Sequence, residues 1–157
     1  MNEQENHDEN FYAMIDRKIA AGEELCRQTG LKLTHQRMQI LRFLAEATDH
    51  PTAERLYQRV REKIPTISLD TVYRTLATFD RLGLIQKLHG IGAQTHYDPA
   101  LFPHHHFVCM ACGHIEDVEW APFDQLPNPP GADAWGEIYD KQVVLRGLCR
   151  GCRQGEQ

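Results

Sequence analysis

Residues 68–83, Ser68-Leu69-Asp70-Thr71-Val72-Tyr73-Arg74-Thr75-Leu76-Ala77-Thr78-Phe79-Asp80-Arg81-Leu82-Gly83, read as one amphipathic helix with both ends marked. Leu69, Val72, Leu76, Phe79 and Leu82 recur at three- and four-residue steps, which places them on one helix face. Ser68 offers a hydroxyl to the amides of the first turn, and Gly83 can take the left-handed conformation that closes the last. The apolar face predicts a core stripe. Thr71, Tyr73, Arg74, Thr75 and Thr78 are left for the other faces.

Two shorter helices precede it. Thr34 can cap the first, whose Met38, Leu41 and Leu44-Ala45 recur at helical spacing, with Ile40 and Phe43 widening the stripe. His50-Pro51-Thr52 breaks the chain, and Thr52 caps a helix carrying Ala53, Leu56, Tyr57 and Val60 that Pro65 stops. A further helix over residues 11–28, closed by Gly30, comes before all three. After Gly83, Leu84-Ile85-Gln86-Lys87-Leu88 and Gln94-Thr95-His96-Tyr97 flank Gly90-Ile91-Gly92, the pattern of two short strands around a glycine turn. Three helices followed by a hairpin is the order of a winged helix-turn-helix, with the last helix as the reader of DNA. Many small trihelical domains share that order without binding nucleic acid.

Charge divides the chain unevenly. Residues 17–90 hold 13 Lys/Arg against 8 Asp/Glu, residues 91–157 hold 4 against 9, and residues 1–16 carry five acids without a base. A basic segment joined to an acidic one suggests nucleic acid at one end and cations at the other, although ordinary scatter could give the same counts. The apolar share of 41% and charged share of 25% are those of a soluble globular protein. No stretch reaches the ~20 apolar residues of a membrane span. The polar, acidic start MNEQENHDENFYAMIDRK lacks a signal-peptide pattern, so the expectation is a cytoplasmic protein with no membrane partner.

Beyond Asp98 the character changes. Residues 99–103 read as a hinge between a domain over 1–98 and another over 104–157. His106-Phe107-Val108-Cys109 and His114-Ile115-Glu116-Asp117-Val118 look like strands flanking a Cys-x-x-Cys knuckle. Residues 121–134 hold four of the eight prolines and predict a loop or broken helix. Gln142 to Leu148 forms a last strand delivering a second knuckle. The fold class is therefore α+β.

Cys109/Cys112 and Cys149/Cys152 carry the strongest chemical signal. Each pair sets two sulfurs on one turn, able to take adjacent corners of a tetrahedron, and the 36 residues between the pairs close a loop that an ion would pin. Four thiolates suit a structural Zn2+. An iron–sulfur cluster accepts the same ligands and stays open as an alternative. Cys26, the fifth, reads as a half-buried helix residue.

His104-His105-His106 can be a solvated turn. On a strand, however, His104 and His106 point to one face, where both imidazoles could grip one ion together with Asp98, Glu116 or Asp117. Mixed nitrogen and oxygen donors suit Fe2+, Mn2+ or Zn2+. Taken alone, His50 reads as a capping or surface residue, and His7, His35, His89, His96 and His114 call for no special role.

Together these segments resemble the ferric uptake regulator family of bacterial metal-dependent repressors. The resemblance runs from about residue 25 to 152. It rests on Gly30-Leu31-Lys32-Leu33-Thr34-His35-Gln36-Arg37, His50-Pro51-Thr52-Ala53-Glu54-Arg55-Leu56-Tyr57, Ser68 to Leu76, and His104-His105-His106-Phe107-Val108-Cys109-Met110-Ala111-Cys112-Gly113, with the second knuckle closing it. It implies a homodimer that binds double-stranded operator DNA. The winged helix would lie in front of an α/β dimerisation domain locked by Zn2+ on Cys109, Cys112, Cys149 and Cys152.

The resemblance also implies a regulatory Fe2+ or Mn2+ at the hinge on His50, Asp98, His104, His106 and Asp117, which gives His50 a role its position alone did not. Contacts to DNA would come from Tyr73, Arg74 and Thr71 on the reading helix and from Arg37. Asp117 stands where the ferric uptake type has glutamate. Three histidines with two aspartates look like the peroxide-stress regulators, in which iron and hydrogen peroxide oxidise a ligand histidine, here His50 or His104. The alternative is a repressor responding to the level of iron or of another divalent metal. Many relatives hold a further metal with a histidine in the strand before the second knuckle. Residues 137–148 have none, and His105 with Glu119 would be half of such a site at most.

An enzyme is not expected. Zinc deaminases need His-x-Glu ahead of a Pro-Cys-x-x-Cys, whereas His7-Asp8-Glu9 lies in the polar tail and His114-Ile115-Glu116 follows its knuckle. A structural zinc-ribbon adaptor would leave the basic helix and His50 without a purpose.

Overall fold

The computed structural model describes residues 3–89, 94–99 and 101–155, and the side chains from residue 11 onward. The chain divides into two compact units, Met1–Phe102 and Pro103–Gln157. The glycine turn expected at Gly90-Ile91-Gly92 and the side chain of His7 lie outside the described residues.

The first unit opens with α1 (Glu3–Gln28), which begins earlier than the apolar spacing alone indicated. It continues with α2 (His35–Glu46), α3 (Ala53–Lys63) and α4 (Leu69–Arg81), followed by β1 (Gln86–His89) and β2 (Thr95–Asp98). Each of α2 to α4 starts where a hydroxyl can satisfy an orphan amide. Thr34 accepts from the Arg37 N–H, Thr52 from that of Arg55, and Ser68 from that of Thr71 at 3.1 Å. At the end of α4, Gly83 takes φ +72, a conformation that costs a side chain-bearing residue dearly.

The apolar stripes of α2, α3 and α4 meet in one core. Ile40, Leu41, Leu44, Leu56, Val60, Val72, Leu76 and Phe79 are fully buried there, joined by Leu84 from the loop before β1. Two expectations shift. Leu84 and Ile85 lie ahead of the strand as core plugs rather than within it. Thr75, assigned above to an outer face, is buried between the stripe and the solvent side, so the inward face of α4 is wider than its apolar residues. β1 and β2 pair antiparallel with Gln86 opposite Asp98 and Leu88 opposite His96.

The second unit contains β3 (His105–Cys109), β4 (Ile115–Val118), α5 (Ala121–Asp124), a 3-10 turn at Ala132–Ala134, β5 (Val144–Gly147) and α6 (Arg150–Gln154). β3 is central. It pairs antiparallel with β4 and parallel with β5, which is shorter than the Gln142–Leu148 strand expected. Pro122 is tolerated in the first turn of α5, where no N–H is needed, and the prolines at 127, 129 and 130 keep helix from extending beyond it. Among the described residues no helix is long and apolar enough to cross a membrane.

Candidate metal centres and nucleic-acid face

The two knuckles occupy the ends of β3 and β5, the central strand and its parallel neighbour. Cys109 is the last residue of β3. Gly113, at φ +77, lets the chain reverse so that the Gly113 N–H bonds to the Cys109 carbonyl and the Cys109 N–H to that of His114. Beside it, the Met110 N–H bonds to the Gly147 carbonyl at 2.7 Å and ties the first knuckle to the end of β5. Cys149 then caps α6, its sulfur accepting from the Cys152 N–H.

The result brings the four sulfurs within 4.8 Å of one another, with Cys112 and Cys149 3.8 Å apart. A tetrahedron with metal–sulfur bonds of about 2.3 Å has an edge of about 3.8 Å, so the donor set fits a zinc-sized ion. The electrostatics agree. N–H groups of Cys149 and Cys112 aimed at the Cys109 sulfur draw its pKa down to about 5. Hydrogen bonding among the sulfurs, first with Cys149, pushes Cys152 up to about 12. Four thiols this close cannot all ionise without a cation among them.

The nitrogen and oxygen donors form two groups, one in each unit. In the first unit His50 Nε2 lies 3.4 Å from Asp98 Oδ1, and both residues are buried. Gln86 Nε2 donates to the other carboxylate oxygen, Asp98 Oδ2, at 3.0 Å. In the second unit His104 and His106 face the same way from alternate positions, ring centroids 4.6 Å apart. Asp117, directly opposite His106 in the β3–β4 register, places Oδ1 3.4 Å from His106 Nε2 and 3.5 Å from His104 Nε2. Pleat alternation explains the choice of acid: Glu116 is on the other face, 3.7 Å from His114. His105 points away from both neighbours and is buried, with Nε2 3.0 Å from Asp124 Oδ1 and its ring against Phe123. Its acidic partner is therefore Asp124 and not Glu119.

The outer side of α4 presents two different surfaces. Arg74, with a side chain 80% exposed and tied to Asp70 at 2.9 Å, lines a groove of about 580 Å³ with Arg37, Thr71, Thr34, Gln36 and Thr78. This is the α2–α4 face on which Arg37 and Arg74 converge. Tyr73 turns instead to a smaller cavity beside α3 and β2, and its hydroxyl donates to Glu54. That bond holds the Glu54 carboxyl below its usual range and raises the Tyr73 phenol. Sequence spacing offered no sign of Glu54, Gln86 or Asp124 as partners, since each acts on a residue of a different element.

The ferric uptake regulator family matches over residues 28–129, so the chain belongs to that family. It is 29% identical over 133 residues to the peroxide operon regulator of Bacillus subtilis, covering 85% of this chain and 92% of that one. The Campylobacter jejuni peroxide stress regulator superposes with a TM-score of 0.68 at 29% identity, over 82% of this chain and 97% of that one. The ferric uptake regulator of Pseudomonas aeruginosa with manganese gives 0.69 at 28% identity, with the same coverage. These two solved structures, one of each regulator type, are thus about equally similar to this chain.

Proposed function

We propose that this member of the ferric uptake regulator family is a metal-dependent, DNA-binding transcriptional repressor that senses hydrogen peroxide. The observation carrying the peroxide reading is the register of β3 and β4, which sets an aspartate, Asp117, opposite His106 and beside His104. With His50 and Asp98 the donors are three imidazoles and two short carboxylates, a hard, mixed set suited to Fe2+ or Mn2+. In this proposal the five residues hold one regulatory ion and the four cysteines a structural Zn2+, in a homodimer whose α4 helices meet successive half-sites of an operator. Arg74 and Thr71 would meet base edges or nearby phosphates and Arg37 a phosphate, while Tyr73 would reach DNA only by leaving its bond to Glu54.

Ferrous iron, when bound, would lend an electron to activate peroxide and regain one as the ring is oxidised, so that the ring is the net two-electron reductant; manganese would leave peroxide inert. In this reading His50 or His104 is the side chain that would be oxidised. One ring C–H becomes C–OH, peroxide gives up that oxygen, and its second oxygen leaves as water. The altered ring is a poorer ligand. The ion favours the DNA-binding conformation, so losing a ligand removes that preference and lowers DNA affinity.

The test is operator binding by the zinc-containing protein loaded anaerobically with Fe2+ or Mn2+, before and after micromolar peroxide. Release from the iron form alone, with one oxygen added to a peptide containing His50 or His104, is expected. Equal persistence of both forms would leave a regulator of metal level. Separately, Arg74→Ala is expected to lower operator affinity by about 1–3 kcal/mol without changing metal content. Unchanged DNA binding would remove α4 from the reading role.

A further inference from the structure

His50 is the one non-glycine residue with positive φ among the described residues, at +46. Two rules oppose that conformation. A side chain-bearing residue is disfavoured there by its own Cβ, and the residue before a proline, as His50 is before Pro51, is driven toward extended backbone. Such a conformation persists only where its surroundings over-determine it.

The surroundings do so from both sides. Ahead of His50, Asp49 takes a two-pronged clasp from Arg59 of α3, with Nη1 to Oδ1 at 2.9 Å and Nη2 to Oδ2 at 2.5 Å. Arg59 holds the Asp49 carboxyl below its ordinary range. Behind His50, strand β2 grips the backbone. His96 Nδ1 is 2.6 Å from the His50 carbonyl oxygen, the Tyr97 N–H donates to the Pro51 carbonyl at 3.0 Å, and Thr52 bridges to His96. A carbonyl can only accept, so Nδ1 of His96 carries the proton, which fixes its tautomer.

The placement of His96 has a clear geometric sense. His96 and Asp98 are alternate residues of β2 and so share a face. One end of that face holds the backbone of His50 and the other meets its ring, with Asp98 Oδ1 3.4 Å from Nε2. Turning His50 into the extended region would swing its Cβ and carry the ring away from Asp98.

We propose that His96, backed by the Asp49–Arg59 clasp, is a positioning residue for His50: it locks His50 in a strained backbone conformation that aims the imidazole at the ion shared with Asp98. This rests on the regulatory-metal reading above. His96 touches no ion and acts through the carbonyl of its neighbour.

The experiment titrates the full-length, zinc-loaded protein with Mn2+ in wild type, His50→Ala, His96→Leu, His96→Asn and His96→Gln. The Asn amide nitrogen reaches the place of ring Nδ1, and the longer Gln side chain carries its amide elsewhere. His96→Leu is expected to weaken Mn2+ binding by about 10–100-fold, the usual range for losing a group that orients a ligand. His96→Asn should restore most of it, His96→Gln should not, and zinc content should stay constant. Arg59→Ala is expected to weaken binding less than His96→Leu. Wild-type affinity in His96→Leu overturns the inference, as does equal affinity of the Asn and Gln variants, a comparison that stands even if the Leu variant does not fold. Should His50→Ala bind Mn2+ as wild type does, the regulatory-site reading itself falls, a result separable from the others.

Discussion

The two units solve the problem of staying folded in opposite ways. The N-terminal unit buries a contiguous apolar cluster drawn from α2, α3 and α4, with eight large side chains fully out of solvent before its periphery is considered. In the C-terminal unit the buried apolar residues among those described are Val108, Cys109, Ile115 and Ala132, whereas Trp120, Leu126, Trp135, Tyr139, Leu145 and Leu148 are exposed. Within a single chain, a segment of that size with so small a core cannot offset its chain entropy by apolar burial alone. With the proposed Zn2+ bound, its four converging sulfurs would supply a cross-link between residues far apart in sequence. On the zinc reading, one chain pairs a unit ordered by packing with a unit ordered by coordination, and the two should fail under different insults.

Removing zinc offers the sharpest way to break that contrast. A strong chelator, or Cys109→Ser, is expected to unfold residues 103–157 while the helical unit keeps its protection, read by hydrogen exchange and limited proteolysis. Structural zinc in small domains is worth about 10–16 kcal/mol in apparent binding energy, more than such a unit can lose. Retention of the β3–β4–β5 sheet without zinc would mean that packing suffices there after all. The reverse insult is Phe79→Ala, which empties a fully buried site where α4 meets the core. It should cost about 3–5 kcal/mol in denaturant unfolding of the N-terminal unit and leave zinc content untouched. A smaller effect sharpens the local part of the comparison. Ser68→Ala removes the hydroxyl that accepts from the Thr71 amide and should cost about 1 kcal/mol, again confined to the helical unit.

The same contrast governs what could be read from the residues beforehand. Helices α2 to α4 were legible because caps and apolar spacing are local signals, and Thr34, Thr52 and Ser68 each sit where the observed helix begins. The cysteine pairs were legible because each knuckle is a local turn. Thr75 was misplaced because periodicity registers apolar side chains and overlooks a threonine small enough to be buried with them. The start of α1 was missed because its first residues are polar and carry no stripe. What could not be read were four partnerships between elements: Tyr73 with Glu54, Gln86 with Asp98, His105 with Asp124, and His96 with the backbone of His50. Those pairings follow from tertiary placement, which spacing along one segment does not encode.

The first knuckle doubles as the turn between β3 and β4, and this gives the cysteines a second office: they act as an index mark for the ladder. Side chains alternate along a strand, so a slip of one residue would set Glu116 opposite His106 and rotate Asp117 to the far face. Whatever fixes the loop from Cys109 to His114 therefore decides which acid stands with the two imidazoles. An injury to the sulfurs would be felt three residues away as a change of spelling at the other centre, before any strand had come apart.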